Sequence, residues 1–157
     1  MSATTWAVAV PDKERLIKAA FEAKENAYCR YSNFRVGAAL LSANGEVIKG
    51  ANIENASYGG TICAERTAIV KAVSEGTRSF TALAVVTDVE SALSPCGMCR
   101  QVLREFCSLN MPIFLVPANY DELRASGDQN GGIQETSIGE LLPYSFGPEE
   151  LELPRRS

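Results

Sequence analysis

The stretch Thr81-Ala82-Leu83-Ala84-Val85-Val86-Thr87 decides the fold class, because its apolar residues follow one another almost without a break. A continuous apolar run is typical of a strand that is covered on both faces. A loop at residues 88–95 and a helical segment at residues 96–108 follow it, and a second apolar run occupies residues 111–116. A strand, a helix and a strand in this order predict a crossover unit of an α/β protein.

The segments around this unit supply further elements. Asn44-Gly45 lies between two β-like runs and is a strong hairpin signal. The helical pattern before the hairpin has an apolar face made of Leu16, Ile17, Ala20, Phe21, Ala23, Ala27 and Tyr28. The predicted helices are residues 11–28, 63–75 and 139–142, and the further predicted strands are residues 36–41, 46–54 and 133–137.

Together these elements predict an α/β fold, a three-layer α/β/α sandwich with a mixed, roughly five-stranded sheet. A chain of 157 residues is long enough for a substantial core and is expected to form one catalytic domain, residues 1–157. Residues 118–132 are polar and rich in glycine, so they are the predicted mobile excursion. The helices that start near residues 63 and 96 begin just beyond strand ends, where α/β proteins usually place ligand sites.

The composition restricts the class of partner. A formal net charge of −4 and a sequence pI near 5.0 leave no positive field that would gather a polyanion. We therefore expect no nucleic-acid strand as partner, and small neutral or cationic substrates remain open. The hydrophobic fraction of 46% and the charged fraction of 22% are ordinary for a globular protein.

The terminus and the cysteines indicate a reducing compartment. Residues 1–10 contain no basic residue and only a short apolar run, so we expect no secretory signal. No stretch approaches the roughly 20 apolar residues of a membrane-spanning helix. Five cysteines, two of them in a C-x-x-C pattern, indicate metal or redox chemistry before structural disulfides, and the predicted location is cytoplasmic.

Two cysteine segments carry the chemistry. Cys63-Ala64-Glu65 and Pro95-Cys96-Gly97-Met98-Cys99 place three thiols and one carboxylate at the starts of two predicted helices. Three soft ligands suit Zn²⁺, and a catalytic zinc site leaves its fourth position to water. Glu65 follows Cys63 by two residues and is placed to handle the protons of that water. The chain has no histidine, which excludes Ser-His and Cys-His nucleophile mechanisms and any histidine-ligated metal site.

Simpler interpretations exist for each of these residues. A single cysteine on a helix is usually a core residue, and C-x-x-C also occurs in redox motifs and in structural zinc sites. The combination of a separate thiol, an acidic residue and Pro-Cys-x-x-Cys favours a metal site. Cys29 and Cys107 lack such a context and are predicted to be structural. Arg66 and Arg100 are placed to offset the net negative charge of three thiolates on zinc.

Further segments carry a resemblance to a known family. The pattern of Cys-x-Glu and Pro-Cys-x-x-Cys is similar to the all-cysteine form of the zinc nucleobase deaminase signature. The chain resembles the small homotetrameric zinc-dependent cytidine deaminases from about residue 28 to residue 151. The segments that carry the resemblance are YSNFRVGAA at residues 31–39, NIEN at 52–55, CAERT at 63–67, SPCGMCRQ at 94–101 and LLPYSFGP at 141–148.

The resemblance implies a set of roles. Cys63, Cys96 and Cys99 would bind one zinc ion per subunit, and Glu65 would shuttle protons. The implied substrate-binding residues are Asn52 and Glu54 at a ribose hydroxyl, Phe34 and Ala64 at the nucleoside pocket, and Phe146 stacked on the pyrimidine of a neighbouring subunit. Arg66 would moderate the charge of the thiolates. The expected reaction is hydrolytic deamination of cytidine and 2′-deoxycytidine, a step of pyrimidine salvage.

The residues alone leave alternatives open. Asn52 and Glu54 alternate along a predicted strand and can face one side, but such a pair is more often a solvated sheet edge. By themselves, Phe34 and Phe146 are more typical of a core, and Arg66 of a helix surface. A deaminase of a related nucleoside such as blasticidin S, or of a base in a polynucleotide, shares the motif. A non-catalytic structural zinc module is the alternative from another class, and it would need a fourth ligand.

Overall fold

The computed structural model describes residues 10–156. The prediction that the N-terminus carries no secretory signal rests mainly on residues 1–9, which lie outside this range. The helices are α1 (Val10–Lys24), α2 (Ala64–Ser74), α3 (Gly97–Phe106), α4 (Tyr120–Ala125), α5 (Ile138–Leu141) and α6 (Pro148–Leu151). The strands are β1 (Val36–Ser42), β2 (Val47–Ala51), β3 (Phe80–Thr87), β4 (Pro112–Val116) and β5 (Gln134–Ser137). None of these helices is long and apolar enough to cross a membrane.

The five strands form one mixed sheet in the order β2-β1-β3-β4-β5. Only β3 and β4 pair in parallel, and the other three pairs are antiparallel. The parallel pair is the predicted strand, helix and strand unit, with α3 as its crossover. The mixed five-stranded sheet is therefore confirmed.

Helices cover both faces of this sheet, which confirms the three layers. One core cluster joins Leu16, Ile17 and Ala20 of α1 to Ala84 of β3 and Phe114 of β4. The other cluster joins α2 and α3 to the opposite face of the sheet. It includes Ala68 and Ile69 of α2, Leu103 of α3, Leu40 of β1, Leu83 of β3 and Ile113 of β4. Successive residues of a strand point to opposite faces, so a continuous apolar run serves both clusters at once.

Gly50 brings α2 close to the sheet. A Cβ atom at this position would lie 2.4 Å from the carbonyl oxygen of Ala64 and 2.5 Å from the backbone nitrogen of Ala68. Only a glycine in β2 leaves room for the first turn of α2 at this distance. The position of the first cysteine motif therefore depends on the residue in the neighbouring strand being a glycine, which has no side chain.

Two predicted boundaries are wrong. Helix α1 ends at Lys24 and not at Tyr28, because the Tyr28 N–H leaves the helix and donates to the Asn52 carbonyl at 2.9 Å. Strand β2 ends at Ala51 and not at residue 54, because Ile53 pairs with Ile62 instead of with β1. In both cases a residue distant in the sequence forms the backbone hydrogen bond that the local pattern would have assigned to the helix or to the strand.

The segment at residues 118–132 contains an element that the sequence did not predict. Helix α4 lies within it, and Tyr120 packs against Phe21 of α1 with the ring centroids 6.3 Å apart. Helix α6 was also missed, although Pro148 at its first position and the bond from the Gly147 N–H to the Glu150 carboxylate at 2.6 Å are typical start signals.

Candidate active site and metal centre

Both cysteine motifs lie at helix starts. Cys63 is the N-cap residue of α2 and Cys96 is the N-cap residue of α3, and both have extended backbones. Cys99 is the third residue of α3 and is buried. Backbone N–H groups that lack a partner in the first turn, together with the positive end of the helix dipole, favour thiolates at these positions.

The three thiols form one cluster. The Sγ atoms of Cys63 and Cys96 lie 3.8 Å apart, and those of Cys96 and Cys99 lie 3.4 Å apart. All three sulfur atoms lie within 4.8 Å of one another. Four ligands at the Zn–S distance of roughly 2.3 Å in a tetrahedron lie about 3.8 Å apart. The cluster therefore fits a zinc ion with one position left free.

The thiols share their protons unequally before a metal binds. Hydrogen bonding from the Cys99 thiol, with further bonds from Arg66 and Cys96, lowers the pKa of Cys63 to about 5 against the opposing effect of burial. The same bond to Cys63, together with burial, raises the pKa of the Cys99 thiol well above its usual range. Only thiolates bind zinc, so metal binding must release the remaining thiol protons.

Glu65 is buried beside this cluster. Its side chain belongs to the second residue of α2, the residue is 5% exposed, and its Oε2 atom lies 3.8 Å from Cys99 Sγ. Burial raises the pKa of this carboxyl group, and the neighbouring Cys63 thiolate acts in the same direction. A raised pKa makes this carboxyl group a better proton acceptor than an exposed carboxylate, which suits a group that moves protons.

A cavity of about 230 Å³ opens in front of the cluster. It brings together four residues that the sequence singled out: Cys63, Cys96, Glu65 and Asn52. Phe34, which the resemblance assigns to a nucleoside pocket, also lines it. The remaining lining residues were not predicted and are Val36, Thr61, Val85, Thr87, Leu93 and Ser94. Their signal in the sequence is weak, although Thr61 and Ser94 each stand two residues before a ligand cysteine.

The other predicted substrate-binding residues lie apart from this cavity. Glu54 lines an adjacent cavity of about 280 Å³ with Tyr31, Ser32 and Tyr58, and Thr61 lines both cavities. Ala64 is fully buried at the start of α2. Phe146 is 59% exposed and does not line the cavity of its own chain. Asn52 and Glu54 therefore line two adjacent cavities and not the same one.

Asn52 and Glu54 both bind the loop that precedes β1. The Asn52 amide accepts a bond from the Val36 N–H at 2.9 Å and donates to the Phe34 carbonyl at 2.8 Å. The Glu54 Oε1 atom accepts bonds from the N–H groups of Tyr31 and Ser32 at 2.9 and 3.1 Å. These contacts use one oxygen of the Glu54 carboxylate and leave Oε2 open among the described residues.

The two arginines have different partners. Arg66 Nη2 lies 3.6 Å from Cys63 Sγ, as expected for a group that offsets thiolate charge, and its buried Nε has no hydrogen-bond partner among the described residues. The expectation for Arg100 is wrong, because its guanidinium donates to the carbonyls of Pro95 and Leu141 and to Ser94 Oγ, each at 2.7 Å. Arg100 therefore holds the loop before α3 and the segment after α5 instead of facing the thiols.

The two remaining cysteines lie outside the cluster. Cys29 is half-buried in the loop before β1, and Cys107 is buried at the end of α3. Burial alone raises the pKa of Cys107 to about 12, so this thiol stays protonated. Within the described residues, neither supplies the fourth ligand that a structural zinc module would need.

Comparison with known proteins gives this site a family. The family model described as the cytidine and deoxycytidylate deaminase zinc-binding region matches residues 10–114, which include all three clustered cysteines. The cytidine deaminase of Sporosarcina psychrophila is 50% identical over 140 residues, which cover 89% of this chain and 95% of that protein. The cytidine deaminase of Halalkalibacterium halodurans is also 50% identical over 140 residues, with 89% of this chain and 98% of that protein covered.

A solved structure gives the same result. The crystal structure of cytidine deaminase from Burkholderia pseudomallei matches with a TM-score of 0.74 and 43% identity, over 85% of this chain and 98% of that chain. The match extends beyond the zinc-binding region, because the region at residues 10–114 covers a smaller part of the chain. The chain therefore belongs to the cytidine deaminase family, and the metal that its three thiols are placed to hold is zinc.

Proposed function

We propose that this protein catalyses the hydrolytic deamination of cytidine and 2′-deoxycytidine to uridine and 2′-deoxyuridine, with release of ammonia, as a step of pyrimidine salvage. The observation that carries the proposal is the position of the Glu65 carboxyl group, buried 3.8 Å from Cys99 Sγ at a cavity that Cys63 and Cys96 also line. A structural metal site gives a buried carboxyl group at this position no task.

The metal and Glu65 divide the chemistry. Cys63, Cys96 and Cys99 would hold the zinc, whose chemistry when bound is to lower the pKa of a water molecule toward neutrality. Glu65 accepts a proton from the attacking water and delivers it to ring N3 of the cytosine base. It then takes the remaining proton from the hydroxyl group that has added to C4, as the C4 carbonyl forms, and passes this proton to the departing 4-amino group, so that water and cytidine give uridine and ammonia. Arg66 offsets the negative charge of the thiolates through its contact with Cys63.

Four further residues are proposed to bind the nucleoside. Asn52 retains one N–H and one lone pair after its bonds to the loop and would bind a ribose hydroxyl in the candidate cavity. Glu54 retains Oε2 and would bind a ribose hydroxyl that extends into the adjacent cavity, which shares Thr61 with the first. Phe34 lines the cavity and would contact the nucleoside. Ala64 stands between the cavity-lining residues Cys63 and Glu65 at the start of α2, and this position supports its proposed place beneath the base.

The active form is proposed to be a homotetramer with shared active sites, each built on a single catalytic domain of residues 1–157. The support is the 59% exposure of Phe146. The backbone carbonyl of this residue accepts a bond from Gln101 Nε2 at 3.2 Å. An exposed aromatic ring on an anchored backbone is suited to stack on a pyrimidine held by another subunit. We also propose a cytoplasmic location, because all five cysteines are unpaired and the metal ligands require a compartment that keeps thiols reduced.

An absorbance assay with the zinc-loaded protein tests the function. Cytidine deamination lowers the ultraviolet absorbance of the base, and released ammonia gives an independent count of turnovers. We expect turnover of cytidine and 2′-deoxycytidine. Turnover of blasticidin S without turnover of cytidine would support the related-nucleoside deaminase instead. Zinc binding without deamination of any nucleoside would support the structural module.

A further inference from the structure

One wall of the candidate cavity is a short segment whose backbone is fixed from both sides. Phe34 and Val36 line the cavity, and the Asn52 amide binds both of them. Arg35 lies between them, and its backbone N–H donates to Asp88 Oδ2 at 2.9 Å. The position of this wall therefore depends on Asp88 as well as on Asn52.

A side-chain contact of Asp88 continues the pairing of β1 and β3 one residue beyond the last paired residues of the two strands. Val36 pairs with Thr87 at that end of the two strands, and both residues line the cavity. The next residues outward are Arg35 and Asp88, and side-chain contacts join them. Arg35 Nε donates to Asp88 Oδ2 at 3.1 Å, and Nη2 donates to Oδ1 at 2.9 Å. A paired contact of this kind fixes orientation as well as distance.

A buried lysine completes the set of contacts. Lys24 ends α1 and is 6% exposed, and its Nζ atom lies 3.3 Å from Asp88 Oδ1 and donates to the Thr87 carbonyl at 3.2 Å. Burial alone would raise the pKa of Asp88, but bonds from Arg35 and Lys24 outweigh it and lower this pKa to about 2. The carboxylate is therefore charged at neutral pH, as a buried ammonium group requires of its partner.

We propose that Asp88 is a positioning residue for the substrate cavity. By binding the backbone and guanidinium of Arg35 together with Lys24, it holds the segment from Phe34 to Val36 against Thr87. The segment then presents the Phe34 ring to the nucleoside at a fixed place. The proposal rests on the proposed function, because its readout is the binding of cytidine.

The test compares steady-state kinetics of the zinc-loaded wild-type protein with those of the Asp88→Ala and Asp88→Asn variants. Asp88→Ala removes every contact to Arg35 and Lys24, and we expect KM for cytidine to rise roughly tenfold with kcat changed less than about twofold. Asp88→Asn can still accept the Arg35 N–H, so its rise in KM should be smaller. Zinc content should equal that of the wild type in both variants, because Asp88 does not belong to the thiol cluster.

Two further variants separate positioning from stability. Either Asp88 substitution leaves Lys24 buried without a counter-charge, so the double variant Lys24→Met/Asp88→Asn removes both charges. We expect it to regain thermal stability while its KM stays raised. Asp12→Ala breaks the exposed pair of Asp12 and Arg15, which lies on the first turns of α1, and should leave KM unchanged.

The outcomes are distinct. Asp88 variants that carry zinc and keep the wild-type KM would overturn the positioning role alone. A double variant that regains both stability and KM would also overturn it, because the raised KM would then follow from loss of stability. A zinc-loaded wild type without cytidine turnover would overturn the proposed function, and the role of Asp88 with it.

Discussion

The Oε2 atom of Glu65 lies 3.8 Å from the Sγ atom of Cys99, although the two residues are 34 positions apart in the chain. The contact joins α2 to α3, and both helices pack on the same face of the sheet through Ile69 and Leu103. Because each helix begins at a ligand cysteine, the two starts meet and place a carboxyl group beside three thiols.

The metal site depends on all three thiols. Replacing Cys99 by alanine leaves two ligands, so we expect zinc content to fall from one ion per chain to a small fraction of that value, with loss of turnover. Elemental analysis of the purified protein measures it. Cys29→Ala is the matched control, because Cys29 lies outside the cluster and should leave the zinc content unchanged. Full zinc content in Cys99→Ala would contradict the ligand set.

The approach of α2 to the sheet has an energetic consequence. In Gly50→Ala the new methyl group would lie 2.4 Å from the Ala64 carbonyl oxygen, so α2 must move. We expect the free energy of unfolding to fall by about 1–3 kcal/mol and zinc affinity to weaken with the displaced Cys63. Urea unfolding and a zinc titration measure the two effects. Gly59→Ala meets no atom within 4 Å and should change neither, whereas a Gly50→Ala protein with wild-type values would refute the argument.

The charge of Asp88 gives a pH dependence of stability. Its pKa is lowered to about 2 in the folded protein, against roughly 4 in an unfolded chain. A lowered pKa contributes stability above pH 4, and this contribution disappears as the pH falls toward 2. Lys24 and Arg35, which face Asp88, and Glu25, which pairs with Arg35, are present in both proteins to be compared.

The measurement is urea unfolding of the zinc-free wild type and the Asp88→Asn variant between pH 7 and pH 2.5. We expect the difference in unfolding free energy to be largest above pH 4 and to shrink below it. A difference that stays constant over this range would show that the carboxylate charge does not contribute.

The exposed ring of Phe146 predicts a dependence on assembly. Phe146→Ala should cost little stability in the single chain, because the ring is 59% exposed. Loss of a stacking contact of about 0.5–1.5 kcal/mol should raise KM for cytidine roughly two- to tenfold with unchanged zinc content. Size-exclusion chromatography with light scattering should give the mass of a tetramer for the wild type. An active, stable monomer would contradict the shared site.

The cluster of three thiols could be predicted from spacing alone. Cys96 and Cys99 are three apart and therefore share one side of a first helical turn, and the Cys63 motif has a helix start of its own. The apolar run of β3 fixed the class of fold because its residues serve two core clusters. These features depend on local periodicity, which a single sequence displays directly.

What the sequence did not predict depends on tertiary partners. Arg100 follows a ligand cysteine, yet its guanidinium turns to the carbonyls of Pro95 and Leu141. Asn52 lines one cavity and Glu54 lines another, because β2 ends before both residues and Ile53 pairs with Ile62. Asp88 is a single acidic residue after an apolar strand, and nothing in the local pattern identifies Arg35 and Lys24 as its partners.

Replacement of Glu65 by glutamine tests the catalytic proposal most directly. Glutamine keeps the size of the side chain but cannot accept a proton from water and pass it on, so turnover should fall by at least roughly a hundredfold. Zinc should remain at the wild-type level, because the three thiols are untouched. The measurement is ammonia release from cytidine beside elemental analysis of the same sample. The predicted result is full zinc content with almost no ammonia, and wild-type turnover by Glu65→Gln would contradict the role of Glu65.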